Sequence, residues 1–313
     1  MSAKRLDDLR IVDPVLTTIA QNWKNDLYLS EQLFPTITVS KSKGKIPIFG
    51  KEAFYLRETD RAIRGDSNRV STTEYKLETY ETQERDIEMA IDYLECSEAM
   101  NYEKYEQKIT KELRDVLALN REREIAEHIQ NPDNYGSHQR TVLSDADAFN
   151  SPTSSIDHIE LIKQSKEAMR ANIGRVPNTM MLNNATLEAI MKSSFFLEVC
   201  NQSNIIKPSL SMLKEYIGID NFMINNGVYT EDGLTFKDIW KDNILLMYLD
   251  HNTAKQHSEY NPSFGYIFQL EGNPEVDTYY ENGGKVKVIR CTDNFCWKIT
   301  APDAAYLIAN TIA

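Results

Sequence analysis

The 313-residue chain carries few of the residues that build disulfide scaffolds, membrane spans or phosphate cradles. Its four cysteines, Cys96, Cys200, Cys291 and Cys296, are scattered without a framework, so they read as reduced thiols of a cytosolic protein. The longest strongly apolar run, Ile244 to Leu249, fits one buried strand and falls far short of a bilayer crossing. Asp13-Pro14 interrupts the apolar stretch near the N-terminus, which excludes a secretory signal. Glycine is sparse and never clusters as a phosphate loop: Gly283-Gly284-Lys285 has no spaced upstream glycine and reads as a turn. No dinucleotide fingerprint or Gly-flanked nucleophile elbow is present. Basic residues are outnumbered, 35 to 47, for a formal net charge of −12. That balance argues against nucleic-acid affinity by phosphate neutralisation.

The search for reactive groups is equally thin. The five histidines, His128, His138, His158, His251 and His257, form no ligand-spaced pair around a carboxylate. Cys291 and Cys296 have no second Cys or His pair, and read as small core residues of adjoining strands. Asp86, Glu88 and Asp92 carry no catalytic specificity in so acidic a chain, and the acids of the long helix described below read as a solvated face. Tyr279, Tyr280 and Trp297 read as cross-strand packing rather than a binding platform. No catalytic, cofactor-binding or metal-binding residue is assigned.

What is present is organised around Ser40 to Tyr80. Ile46, Ile48 and Ala53 to Leu56 are strand formers, Arg64-Gly65-Asp66-Ser67-Asn68 is turn chemistry, and Val70 to Tyr80 resumes a β-rich pattern. This arm has too few apolar residues to bury a face of its own, and two-stranded hairpins are marginal alone in water. It therefore needs a partner outside its own fold. The basic run Lys41, Lys43 and Lys45 reads as solvated or partner-facing, since acids surround it.

The remaining chain is ordinary in composition, 41% hydrophobic and 26% charged. Asp13-Pro14 caps a short helix through Val15, Ile19 and Trp23, and Thr36 to Val39 reads as a strand. Ile87, Met89, Ile91 and Tyr93 alternate as a half-buried strand. Ser97 then caps a helix ending at Asn131 before Pro132, about 50 Å long, with Tyr102, Tyr105, Ile109, Leu113, Val116, Leu117 and Ile125 on one stripe. Residues 131–155 are a loop-rich boundary with a short strand at Thr141 to Leu143. Ser155 caps a helix ended by Gly174. Strands at Thr179–Leu182, Phe222–Ile224 and Ile244–Leu249 interleave with helices at Leu187–Met191 and Leu210–Ile217. The tail carries strands at Phe264–Leu270, Val276–Tyr280, Val286–Cys291 and Phe295–Thr300, with a turn at Glu281–Gly284. Ala304–Ile312 suits either a strand or a short helix.

Three stretches, GKIPIFGKEAFYLRETDRAIRGDSNRV (44–70), GRVPNTMMLNNATLEAI (174–190) and PSFGYIFQLEGNPEVDTYYENGGKVKVIRCTD (262–293), together with the long helix, resemble the major capsid proteins of tailed bacteriophages. The resemblance spans nearly the whole chain. It implies an α+β Hong Kong 97-type fold. Residues 1–40 would be an N-terminal arm and 41–82 an extended β-hairpin loop. A peripheral domain, 83–155, would contain a spine helix at 97–131. An α/β axial domain, 156–255, would meet its neighbours around five-fold and six-fold axes. Strands in 256–313 would return to the peripheral domain.

The implied function is structural: a virion protein, assembled in the host cytoplasm, whose hexamers and pentamers build an icosahedral shell. The shell would enclose double-stranded DNA without binding it specifically, and no membrane, cofactor or metal is implied. Portal and decoration proteins are further partners of such a shell. No long acidic scaffolding segment precedes Asp13-Pro14, so scaffolding would come from a separate protein. Lys43, Lys45 and Lys51 match no positioned asparagine and acid for a cross-link. An extended arm adds backbone hydrogen bonds to another copy's sheet. Its arginines, Arg57, Arg61, Arg64 and Arg69, are expected to meet Glu95, Glu98, Glu103 and Glu106 of a neighbour. The alternatives are a nanocompartment shell of the encapsulin type and a cytosolic α+β enzyme without a recognisable motif.

Overall fold

In the computed structural model, the described residues are 10–48, 50–51, 56, 59–69, 76–98, 101–151, 154, 156–202, 208–250 and 260–313. The chain opens with α1 (Pro14–Asn22), whose N-cap Asp13 accepts the Val15 and Leu16 N–H groups. A one-turn helix, α2 (Ser30–Leu33), follows. Then come strands β1 (Thr36–Val39), β2 (Lys43–Ile48), β3 (Lys76–Glu81) and β4 (Gln83–Asp92). The helices α3 (Tyr93–Glu98) and α4 (Tyr102–Ile129) come next. α4 has 28 residues and spans about 42 Å.

Past α4 lie β5 (Arg140–Val142), α5 (His158–Ile173), β6 (Thr179–Asn183), α6 (Asn184–Lys192), α7 (Ser194–Gln202) and α8 (Leu210–Ile217). The strands β7 (Asn221–Asn225), β8 (Val228–Tyr229), β9 (Lys237–Asp238) and β10 (Ile244–Met247) complete the middle of the chain. The tail contributes β11 (Gly265–Leu270), β12 (Glu275–Glu281), β13 (Val286–Ile299) and β14 (Ala305–Ala309).

Two five-stranded sheets carry the fold. In the first, β13 is central: β4 pairs with it on one side over Val286–Phe295, while β11 and β12 share its other side. β1 adds in parallel to β11. The second sheet runs β5-β14-β10-β6-β7. α1 and α4 cover the first sheet over a core that includes Leu16, Ile91, Ile109, Leu113, Val276 and Ile289. The core of the second sheet includes Ile162, Met180, Leu182, Ile190, Phe196, Leu213 and Leu246, drawn from its strands and from α5 to α8. A third cluster, with Phe34, Ile125, Trp240, Phe264, Phe295 and Leu307, binds the two sheets together.

Several boundaries differ from the expectations above. Tyr93 starts a helix rather than continuing the strand, and Ser97 lies inside α3; the cap of α4 is Asn101, which accepts the Lys104 N–H at 3.0 Å. Asp157, not Ser155, caps α5; Ser155 itself lies outside the described residues. Cys291 and Cys296 lie on one strand, not on adjoining ones, because β13 runs unbroken through Asp293-Asn294. Ala305–Ala309 resolves as strand and joins the second sheet, whereas its three predecessors join the first. Ala53 to Tyr55, Arg57, Val70 to Tyr75, His251 and His257 lie outside the described residues.

The acids and bases of α4 are not all solvated. Glu122 is fully buried and accepts the Leu29 N–H (2.9 Å), the Ser30 N–H (2.6 Å) and the Trp240 indole N–H (2.7 Å). It therefore serves the first turn of α2, where unpaired N–H groups favour a carboxylate. Arg114 and Arg121 are buried as well. Arg114 donates to Asp293 at 2.7 Å, Gln269 donates to the other Asp293 oxygen at 2.7 Å, and Arg121 pairs with Glu31. These bonds tie α4 to β13, β11 and the N-terminal segment by polar contacts within an otherwise apolar layer.

Candidate assembly surfaces

The hairpin of β2 and β3 is anchored only at its root. Tyr80 stacks on Phe268 with centroids 5.0 Å apart and donates to the Lys41 carbonyl at 3.2 Å. With Ile37, Ile46 and Tyr266 these rings form a small core of their own. Gly44 stands opposite Tyr80 in the ladder, and a Cβ there would lie 2.6 Å from the ring. The glycine is what lets the ring cover the ladder. Lys298 reaches Glu78 at 3.2 Å and Lys43 reaches Glu81 at 3.0 Å.

Beyond the root, the described apolar residues of the arm are uncovered. Leu56 and Ile63 are 103% and 96% exposed. A turn holds the tip, with the Gly65 N–H on the Ala62 carbonyl (2.9 Å), the Asn68 amide on the Asp60 carbonyl (3.0 Å) and Arg64 at φ 65°. A left-handed non-glycine residue costs about 1 kcal/mol or more. Arg61, Arg64 and Arg69 are exposed, and none has a charged partner among the described residues; Arg57 lies outside them.

The carboxylates expected to receive these arginines lie at the other end of the first sheet. α3 buries none of its residues, and Tyr93, Leu94, Glu95 and Glu98 are exposed on it. Glu103 is exposed in the first turn of α4. Glu106 differs, because it is half-buried and pairs with Lys287 of its own chain. α3 follows Asp92, which is level with Val286, whereas Glu78 is level with Lys298. Twelve residues of β13 separate the two, about 40 Å. The root of the arm and α3 thus lie at opposite ends of β13 within one copy.

The other singled-out residues have local roles. Tyr279 donates to Glu88 at 2.9 Å, which raises its phenol pKa, and Tyr280 is exposed. The Trp297 indole donates to Glu124 at 2.9 Å while its ring meets His128 edge-on at 5.0 Å. Burial pushes the Cys291 thiol up to about 12, which makes it inert. No group of three His, Cys, Asp or Glu side chains suited to a metal occurs among the described residues. No described helix is long and apolar enough to cross a membrane. The sequence missed the buried role of Glu122, since the acids around it suggest a wet face. Trp240, the one distant residue able to signal its need, is 118 positions away.

No family model matches the chain. Among solved structures, a phage-related protein from Bordetella bronchiseptica RB50 superposes with a TM-score of 0.77 at 25% identity, over 96% of this chain and 98% of that one. The capsid of cyanophage P-SCSP1u superposes at 0.56 with 12% identity, over 93% and 90%. Two sheets, a long helix and a projecting hairpin thus define a capsid-type subunit of the Hong Kong 97-type fold. In sequence, the major capsid protein of Burkholderia phage BcepMu is 36% identical over 306 residues, 97% of this chain and 98% of that protein. The chain belongs to the major capsid proteins of tailed phages, the structural proteins of the virion shell.

Proposed function

We propose that copies of this chain assemble as pentamers and hexamers into the icosahedral head shell of a tailed phage, around packaged double-stranded DNA. The observation that carries this reading is the arm, which is rooted on Phe268 and whose described residues Leu56 and Ile63 are exposed beyond it. Residues 1–40 act as the N-terminal arm, 41–82 as the loop over a neighbour, 83–155 with α4 as the peripheral unit and 156–255 as the axial unit. A separate scaffolding protein, a portal and decoration proteins belong to the same reading. A nanocompartment shell has the weaker support, since the full-length relative is a phage capsid protein.

Within this reading, Arg57, Arg61, Arg64 and Arg69 meet Glu95, Glu98 and Glu103 of the adjacent copy. Glu106 contributes least, being held by Lys287. Such pairs orient neighbours more than they add net affinity. Reversing two charges at the tip, Arg61→Glu with Arg64→Glu, is expected to leave the soluble subunit folded by circular dichroism and to abolish particles in negative-stain images. Normal particles from the double variant would refute the contact.

A further inference from the structure

The chain holds two Asn-Gly pairs, Asn226-Gly227 and Asn282-Gly283, and the fold treats them in opposite ways. Glycine has no side chain to keep its nitrogen away from the asparagine amide carbon, so the surroundings decide whether the two atoms meet. At the first pair they do not. The Gly227 N–H donates to Asn225 Oδ1 at 2.7 Å, and the Asn226 amide oxygen accepts from Asn184 at the start of α6. Gly227 is buried, and Ile239 Cδ1 and the Leu27 carbonyl close on the place of a Cβ there at 3.2 and 3.3 Å. Nitrogen, amide and backbone are all held.

The second pair forms the tip between β12 and β13. Glu281 and Val286 make the last rung of that ladder, and beyond it Asn282, Gly283, Gly284 and Lys285 are all exposed. Asn282 takes φ 50°, Gly283 φ 68° and Gly284 φ 92°, a left-handed run that asparagine and glycine tolerate best. No side chain caps the tip, and among the described residues the Asn282 amide takes no hydrogen bond. A Cβ on Gly283 or Gly284 would meet nothing within 4 Å. The tip is tied at its far end, where the Tyr93 N–H donates to the Lys285 carbonyl at 2.9 Å. A stretch with so few contacts opens locally at little cost.

We infer that Asn282 is a site of spontaneous deamidation, passing through a succinimide to aspartate and isoaspartate, whereas Asn226 is protected by the fold. The Gly283 nitrogen attacks Asn282 Cγ. The N–Cγ bond forms, the Cγ–Nδ2 bond breaks, and the proton of the nitrogen leaves with the amide as ammonia. Water then adds to either ring carbonyl. Opening at Cγ returns the Gly283 nitrogen to the main chain alone and leaves aspartate. Opening at the main-chain carbonyl leaves isoaspartate, with the chain running through the former side chain. Solvent water is the co-reactant, and nothing is oxidised or reduced.

Either product adds a negative charge next to Glu281, at the end of the first sheet from which α3 starts. Isoaspartate also lengthens the tip by a backbone carbon. That change falls beyond the last rung, so the ladder of β12 and β13 is kept. Assembly plays no part in this chemistry, and the free subunit therefore serves for the test.

Folded subunit is incubated in heavy-oxygen water at neutral pH beside a sample unfolded in denaturant, and both are mapped by mass spectrometry. Heavy oxygen in a new carboxyl group marks conversion during the incubation and separates it from conversion during digestion. The unfolded chain should label both sites at similar rates. In the folded subunit Asn282 should label about tenfold faster than Asn226 or more, because two hydrogen bonds must break before Asn226 reacts. Rates within about threefold of each other in the folded subunit would overturn the inference. So would an unlabelled Asn282 once half of the unfolded chain has converted. As a second measurement, Gly283→Ala sets a methyl group beside the attacking nitrogen. It should slow labelling at Asn282 and leave Asn226 unchanged; an unslowed Asn282 would show that the loss bypasses the ring, and would overturn the inference as well.

Discussion

At Glu122 one carboxylate answers three buried donors from two distant parts of the chain. Glu122→Ala leaves the Leu29, Ser30 and Trp240 N–H groups without an acceptor. That is expected to cost about 3–5 kcal/mol of subunit stability, read as a lowered denaturant midpoint. Glu31 makes the N-terminal segment sensitive to acid. Burial opposes its charge, but Arg121 and Arg114 outweigh burial and hold the carboxyl below its ordinary value of 4.5. A depressed folded pKa contributes stability above the unfolded value, and that contribution is lost as pH falls through the folded one. The stability gap between the unmodified chain and Glu31→Gln should therefore be constant above about pH 5 and close at lower pH. A gap that stays constant down to about pH 3 would show that Glu31 is not held this way. Neither role could be read from the sequence. Charged residues on a helix are solvated by default, and only the tertiary partners Trp240, Asp293 and Glu31 bring Glu122, Arg114 and Arg121 inside.

Among the elements, the hairpin is the one whose stability is separable from the rest. Tyr80 stacks on Phe268 at its root, so Tyr80→Ala should release β2 and β3 while leaving the sheets intact. Loss of a buried aromatic costs about 3 kcal/mol, roughly a hundredfold in amide exchange. Hydrogen exchange should show that increase at residues 43–48, with α4 unchanged; equal loosening of both would mean that the hairpin is not a separate unit. The hairpin was legible in the sequence because its turn chemistry and its shortage of apolar residues are local signals. The start of α4 was not, since Ser97 and Asn101 are both good caps and packing of Tyr105 and Ile109 against the first sheet chose between them. Likewise Asp293-Asn294 looks like a strand break. The chain stays extended there because Arg114 and Gln269 bind the Asp293 carboxylate.

For the whole molecule, the excess of acid bears on the proposed enclosure of DNA. With a net charge of −12, the purified subunit should not shift duplex DNA in a gel below about 10 µM at physiological salt. Tight binding would contradict enclosure without attachment. The broad class was legible because three stretches and the long helix resemble the capsid family, whereas charge, missing motifs and the arm signalled only a non-catalytic chain in need of an outside partner. The pairing of β14 with β10 and β5 was not, because an apolar five-residue strand carries no information about which sheet it joins.

β13 has a mechanical consequence. The acid-bearing helix α3 and the root of the arm sit at its opposite ends, and β4, β11 and β12 hold it on both sides. In the proposed contact, a pull handed from one copy to the next through those ends would run along this strand. Its antiparallel hydrogen bonds lie across the pull, so they share the load in shear and do not open one after another. The strand works as a tie rod. With the proposed contact in place, a subunit strung this way would resist stretching of the wall best along β13.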